Sequence, residues 1–342
     1  MSEDTAPLVP ARRVGAGGRV LLGLAMLGAR ASLLVSPRPA ALIIRRVFAS
    51  AGVNLAQGLE RHAPADVDAF IDERYGDGPD MLLDVYRPAS RAGPLPLLLW
   101  VHGGAFVGGA KEELAGYFKL LAHDGYAVAG PRYSLAPEHR YPTPPRQMMK
   151  ALEYLQANAE RLGIDPNRVA LAGDSAGAHI AAQLGALVTT AGYADAVDVQ
   201  STITSQQLRC LILACGPYDL ALARRASSAA GSRFIQAVVW AYTGKRHFFD
   251  DPLASSWSVT NHVTSAFPPT LITVGNADPL AQHSALLAEK LRAQRVDTET
   301  LFYPHDHAPP LGHEYQFELD TDAGQRFLER ARVFLRQHLT AT

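Results

Sequence analysis

The chain has 342 residues, 48% of them apolar and 19% charged, with a formal net charge of −1. A chain of this length can bury roughly three quarters of its unfolded surface, so its core needs no staple, and the apolar content excludes disorder. Near-zero net charge leaves no electrostatic footprint for nucleic acid, although seven Arg and no Lys crowd the first fifty residues against only Glu3 and Asp4.

Within that basic N-terminus, Arg12 and Arg13, the apolar stretch 20–29 and Ala29-Arg30-Ala31 imitate a signal peptide. The charged lead is long for one, however, and an arginine sits inside the cleavage motif. The apolar run is about ten residues, too short to span a bilayer. Val20–Leu27 and Ala40–Phe48 read best as amphipathic helices packed on the main domain with their Arg stems outward. A cytoplasmic protein is the expectation. A cleaved signal, a basic helix resting on a membrane surface and a homodimer stay open beside it.

From about Tyr75 onward, short apolar strands alternate with helical segments. Strands are expected over 82–86 and 96–101, the second a near-continuous apolar run of the buried type. A helix over 114–123, a strand over 126–130 and a helix over 146–162 follow. Asp165-Pro166 breaks the chain before the strand 169–173, and a helix opens at Ser175. The next strand, 208–214, holds Cys210, with Cys215 just beyond it. Five residues of strand span about 17 Å, too far for a disulfide, so both read as small buried hydrophobes with no base beside either in sequence. The stretch 220–257 interrupts the alternation with a helical run over 234–242, and reads as an insertion. Strands 270–274 and 298–303 and helices 281–292 and 321–338 complete the pattern. Strand–helix alternation of this kind predicts an α/β fold, a mostly parallel sheet covered on both faces.

The chemistry starts at Gly173-Asp174-Ser175-Ala176-Gly177, between a predicted strand and a predicted helix. That is the context of a G-x-S-x-G nucleophile elbow, in which small neighbours permit a tight turn that lifts the serine hydroxyl clear of the sheet. By composition alone the pattern arises in roughly one chain in ten of this length, so it is weak by itself. His102-Gly103-Gly104-Ala105-Phe106 directly follows strand 96–101, and its small residues let backbone N–H groups converge as an oxyanion hole requires. Tyr133-Ser134-Leu135-Ala136-Pro137-Glu138-His139 lies between the two.

These three motifs, in this order, resemble the hormone-sensitive-lipase-like branch of the α/β-hydrolases, which holds microbial carboxylesterases and arylacetamide-deacetylase-like enzymes. The resemblance runs from about Tyr75 to the C-terminus and implies an α/β-hydrolase fold with a helical cap. It divides the chain into an N-terminal helical cap segment (1–74) and a catalytic domain (75–342) with a cap insertion at about 219–257. It implies a serine carboxylesterase acting on a small ester, short to medium in chain length, through an acyl-enzyme on Ser175. The oxyanion hole would comprise Gly103, Gly104, Ala105 and Ala176. Ala105 stands where the family usually has a third glycine.

An acid and then a histidine should follow the serine. Asp278, in Asp278-Pro279-Leu280, matches the family's acid motif. His305, His307 and His313 compete for the base. His313 is preferred because it resembles the family's His-Gly-Phe, with His307 as the alternative. Phe106 and Trp240, with Phe234 and Trp257, are candidate substrate-pocket walls. His179 reads as a packed helix residue, and His305-Asp306-His307 lacks a third ligand at zinc spacing. No metal or organic cofactor is implied. An amide or carbamate hydrolase using the same triad remains an alternative, as does a non-catalytic binding protein on this scaffold, the case of plant gibberellin receptors.

Overall fold

The computed structural model describes residues 35–91, 93–225, 229–251 and 254–339. The stretch 20–27 and the signal-like motif lie outside them. Eight strands form one sheet: β1 (Val67–Arg74), β2 (Leu82–Pro88), β3 (Leu95–Val101), β4 (Ala127–Pro131), β5 (Ile164–Asp174), β6 (Leu208–Ala214), β7 (Thr270–Val274) and β8 (Thr298–Phe302). Their order is β1-β2-β4-β3-β5-β6-β7-β8. The β1–β2 and β2–β4 pairs are antiparallel and the remainder parallel. The expected α/β fold is therefore present.

Side-chain alternation along the strands divides the core in two. Leu97, Leu99 and Val101 of β3 pack with Met148 and Leu152 of α3 (Thr143–Ala157), Ile180 and Leu184 of α4 (Ser175–Thr189), and Leu287 of α6 (Ala281–Ala293). Leu98 and Trp100 face the other way, onto Tyr117 and Phe118 of α2 (Ala115–His123) and Phe327, Phe334 and Leu335 of α7 (Asp322–Leu339). The insertion holds α5 (Ala229–Thr243). No helix among the described residues is long and apolar enough to cross a membrane.

Three expectations need correction. The N-terminal segment is not purely helical, because β1 extends the sheet antiparallel to β2. Placing the catalytic unit's start at Tyr75 cuts this strand off. Second, α1 (Arg38–Glu60) contains Ala40–Phe48, but not all of its arginines point outward. Arg45 Nε donates to the Val107 carbonyl at 2.7 Å, and Nη2 donates at 2.6 Å to both the Ala136 carbonyl and Glu138 Oε2. Third, Asp165-Pro166 does not precede the strand. β5 begins at Ile164 and absorbs the proline in a register shift opposite Pro96/Leu97.

Candidate active site

The C-terminal ends of β3, β5, β6, β7 and β8 lie side by side on the parallel half of the sheet, so the loops leaving them form one rim. Ser175 stands where β5 turns into α4, with φ of 50°. The flanking glycines are needed because the backbone crosses itself there. A Cβ on Gly173 would stand 2.5 Å from the Gly177 carbonyl carbon, and one on Gly177 would stand 2.0 Å from the Val101 carbonyl oxygen. Neither obstacle is a side chain that could swing aside. Gly177→Ala is accordingly expected to destabilise the fold by about 3 kcal/mol, the upper end for overpacking, read as a lowered midpoint in urea unfolding. An unchanged midpoint would refute this packing argument.

Asp278 follows β7, its side chain fully buried. One carboxylate oxygen accepts the Leu280 N–H at 2.7 Å, and the other lies 2.8 Å from His313 Nδ1. His313 Nε2 lies 2.9 Å from Ser175 Oγ. The structure thus brings Ser175, Asp278 and His313 together in one hydrogen-bonded line. His307 stays apart, half-buried, edge-on to Tyr303 and with Nδ1 3.1 Å from the Pro309 carbonyl. Burial works against a charged His313, but the neighbouring Cys215 sulfur and Asp278 carboxylate outweigh it and raise the imidazole well above the ordinary histidine range. The sulfur contributes no charge at neutral pH, because burial pushes the Cys215 thiol up to about 11. What persists there is the Asp278 carboxylate, which favours the imidazolium.

The long connection from β8 to His313 is held by Asn276, which sequence reading missed. Its amide donates to the carbonyls of His305 and His307 at 3.2 and 3.1 Å, and its oxygen accepts the Leu311 N–H at 2.9 Å. Gly275 lets this loop come close, since a Cβ there would stand 2.3 Å from the Leu311 carbonyl oxygen.

The loop after β3 turns through Gly104, Ala105 and Phe106, all with positive φ. Tyr133 supports it from below, stacked on His102 at 4.3 Å and donating from its hydroxyl to the His102 carbonyl at 3.1 Å. Ala136 N–H donates to the Phe106 carbonyl at 2.9 Å, which gives the second sequence motif a structural role. The Gly103 N–H is already committed, donating to Asp174 Oδ2 at 2.8 Å. Gly103 is therefore removed from the expected oxyanion donors. It shapes the loop, leaving Gly104, Ala105 and Ala176.

Of the expected pocket walls, Phe106 stacks on Tyr242 at 4.0 Å and meets His179 edge-on at 5.8 Å, and His179 in turn stacks on Trp257 at 4.1 Å. His179 is a packed residue, as expected, and burial pushes its imidazole down to about 3. Trp240 does not join this cluster. It is half-buried, with the Arg246 guanidinium 5.5 Å from its ring. The reading of Cys215 also changes. It is buried, but its thiol lies against His313 and Asp278, so a base does stand beside it. Among the described residues these three form the one trio of donors close enough to share an ion. Two of them already face each other in the triad. Surface hollows of about 520 and 630 Å³, around Arg87 and Arg146, contain none of the triad residues.

Comparison with known proteins adds to this geometry. The BD-FAE family model matches residues 83–291, more than half of the chain. The chain is 33% identical over 227 residues to esterase LipC of Mycobacterium tuberculosis, covering 64% of this chain but only 54% of that protein. It is 28% identical over 281 residues to carboxylesterase NlhH of the same organism, covering 79% and 83% of the two chains. Among solved structures, esterase B of Lactobacillus rhamnosis superposes with a TM-score of 0.74 at 23% identity, over 86% of this chain and 94% of that one. That last likeness concerns the fold.

Proposed function

The chain belongs to the BD-FAE family, in the hormone-sensitive-lipase-like branch of the α/β-hydrolases, and we propose that it hydrolyses short- to medium-chain carboxylic esters through an acyl-enzyme on Ser175. The observation that carries this reading is the Ser175–His313–Asp278 line, with contacts of 2.9 and 2.8 Å, set beside the positive-φ loop 104–106. Ser175 Oγ attacks the ester carbonyl while His313 Nε2 takes its proton. The carbonyl oxygen becomes an oxyanion that receives the N–H groups of Gly104, Ala105 and Ala176, each such donor commonly worth ~10²–10³ in rate. His313 then passes the proton to the leaving alcohol. Asp278 keeps the imidazole in the required tautomer and supports its charged form. Water repeats the sequence in reverse roles and frees the acid.

The short-ester preference rests on the likeness to esterase LipC and carboxylesterase NlhH of Mycobacterium tuberculosis. The test is a series of p-nitrophenyl esters of increasing acyl length beside a p-nitroanilide, with a fluorophosphonate probe and peptide mapping. The expected result is highest kcat/KM on the short esters, little anilide turnover and label on Ser175. Label on another residue, or faster anilide cleavage, would refute the proposal.

A further inference from the structure

Two carboxyl groups meet behind the oxyanion loop, and the mechanism above uses neither. Asp174, the residue before Ser175, is 3% exposed. Its Oδ1 accepts the Trp100 Nε1–H and its Oδ2 accepts the Gly103 N–H, both at 2.8 Å. Glu314, the residue after His313, has φ of 61°, a conformation unfavourable to a side chain of its size. A Cβ placed on Gly103 would stand 2.3 Å from Asp174 Oδ2 and 2.9 Å from Glu314 Oε1, so both carboxyl groups converge on the same backbone atom. Among the described residues, neither carboxyl forms an ion pair with lysine or arginine.

We propose that Asp174 and Glu314 share one proton, and that this carboxyl–carboxylate bridge fastens the loop carrying the base to the loop carrying the oxyanion donors. The inference rests on the esterase reading for its catalytic consequence, though not for the bridge itself. A carboxylate buried as Asp174 is, facing a second one whose side chain is 30% exposed, is favoured to keep a proton, and that proton supplies a donor as well as removing a charge. Burial and the Glu314 charge hold Asp174 well above the usual carboxylate range.

Apart from His313, the groups around the pair add no compensating cation. Glu113, from the turn 111–114 with its carboxyl against Gly52 of α1, is itself pushed up to about 7 by burial, with Glu314 as the next cause. Tyr117 of α2, Tyr133 after β4, and Cys215 and Tyr218 after β6 are all held neutral, burial being the first cause for each. His102 is likewise neutral, pushed down to about 4 by burial. His313, raised above the ordinary histidine range, is the one cation facing the pair, with Nε2 3.9 Å from Glu314 Oε1, and a single positive charge offsets only one of two carboxylates. With one proton present, the bridge carries a single negative charge facing the imidazolium formed during turnover. When the proton is lost in alkali, two like charges face each other and the loops lose their tie. Glu314 is thus a positioning residue, acting through Asp174 and Gly103.

The test is Glu314→Gln, whose amide N–H can donate to Asp174 with no proton to lose. Turnover at neutral pH is expected to be largely retained, with the alkaline limb of kcat moved up by about one pH unit or more and the acid limb moved less. Glu314→Ala, which breaks the bridge, should lower kcat with little change in KM. An alkaline limb left in place by Glu314→Gln overturns the proposal. Infrared spectroscopy reads the proton independently of catalysis. A protonated-carboxyl C=O band should persist at neutral pH in Glu113→Gln, which removes the contribution of Glu113, and in Glu113→Gln combined with Ser175→Ala, and vanish when Glu314→Gln is added to Glu113→Gln. Absence of that band from Glu113→Gln overturns the bridge. Its presence in a chain that turns over no ester supports the bridge and refutes the esterase reading instead.

Discussion

Alanine in place of Ser175 is expected to lower kcat/KM on a short p-nitrophenyl ester by ~10⁴-fold or more, the scale seen when a triad nucleophile is removed. The loss should fall on kcat, because the serine forms the bond to the acyl group and the backbone N–H groups of the loop after β3 are left alone. The fold should survive. Ser175 is 9% exposed and its hydroxyl faces His313, so alanine leaves at most a small void and inherits the same positive φ. The pre-steady-state burst of p-nitrophenol should disappear with the acyl-enzyme. Residual activity above a hundredth of the parent, with a burst still present, would show that another group carries the acyl chain.

His313→Ala is expected to produce a loss of similar size, and His307→Ala a loss of no more than about threefold. Residues in one hydrogen-bonded line fail together, whereas an imidazole bonded to a loop carbonyl does not enter the reaction. Asp278→Asn separates orientation from charge, since the amide fits the same space but presents the wrong partner to Nδ1. A drop of ~10⁴ in kcat is expected. The pH profile gives a second reading. Asp278 favours the imidazolium, so its carboxylate raises the pH at which His313 loses its proton and becomes a base. Without that carboxylate the acid limb of the residual activity should move to lower pH. A limb that stays in place would assign it to a different group, and a large loss in His307→Ala would reassign the base.

The ladder of alternating strands and helices was legible because the fully buried strand Leu95–Val101 is a continuous apolar run, and Leu208–Ala214 and Thr270–Val274 depart from one only at Arg209 and at two threonines. β1 escaped because it is an edge strand. Asp68, Ala69, Ile71 and Asp72 are exposed, so no apolar alternation marks it. The nucleophile and the acid were legible because their surroundings are local, an elbow and a strand end. The contacts that hold the loops in place join distant parts of the chain. Arg45 reaches Ala136, Asp174 holds Gly103, and Cys215 lies against His313, and no local motif announces any of these. Gly103 was misread for the same reason. An HGG-type motif supplies several backbone N–H groups, and only the fold reveals that one of them is already taken.

The antiparallel pairing of β1 with β2 has a consequence for anyone shortening this protein. A chain begun at Tyr75, where strand–helix alternation first becomes visible, would uncover the outer edge of β2, whose Leu83, Val85 and Tyr86 are buried in the full chain. Unpaired N–H and C=O groups along such an edge recruit the same strand from a neighbouring molecule, and the outcome is aggregation rather than a smaller enzyme. The eight residues from Val67 to Arg74 thus work as a built-in blocking strand, and their charged outer face keeps the finished edge from recruiting in turn.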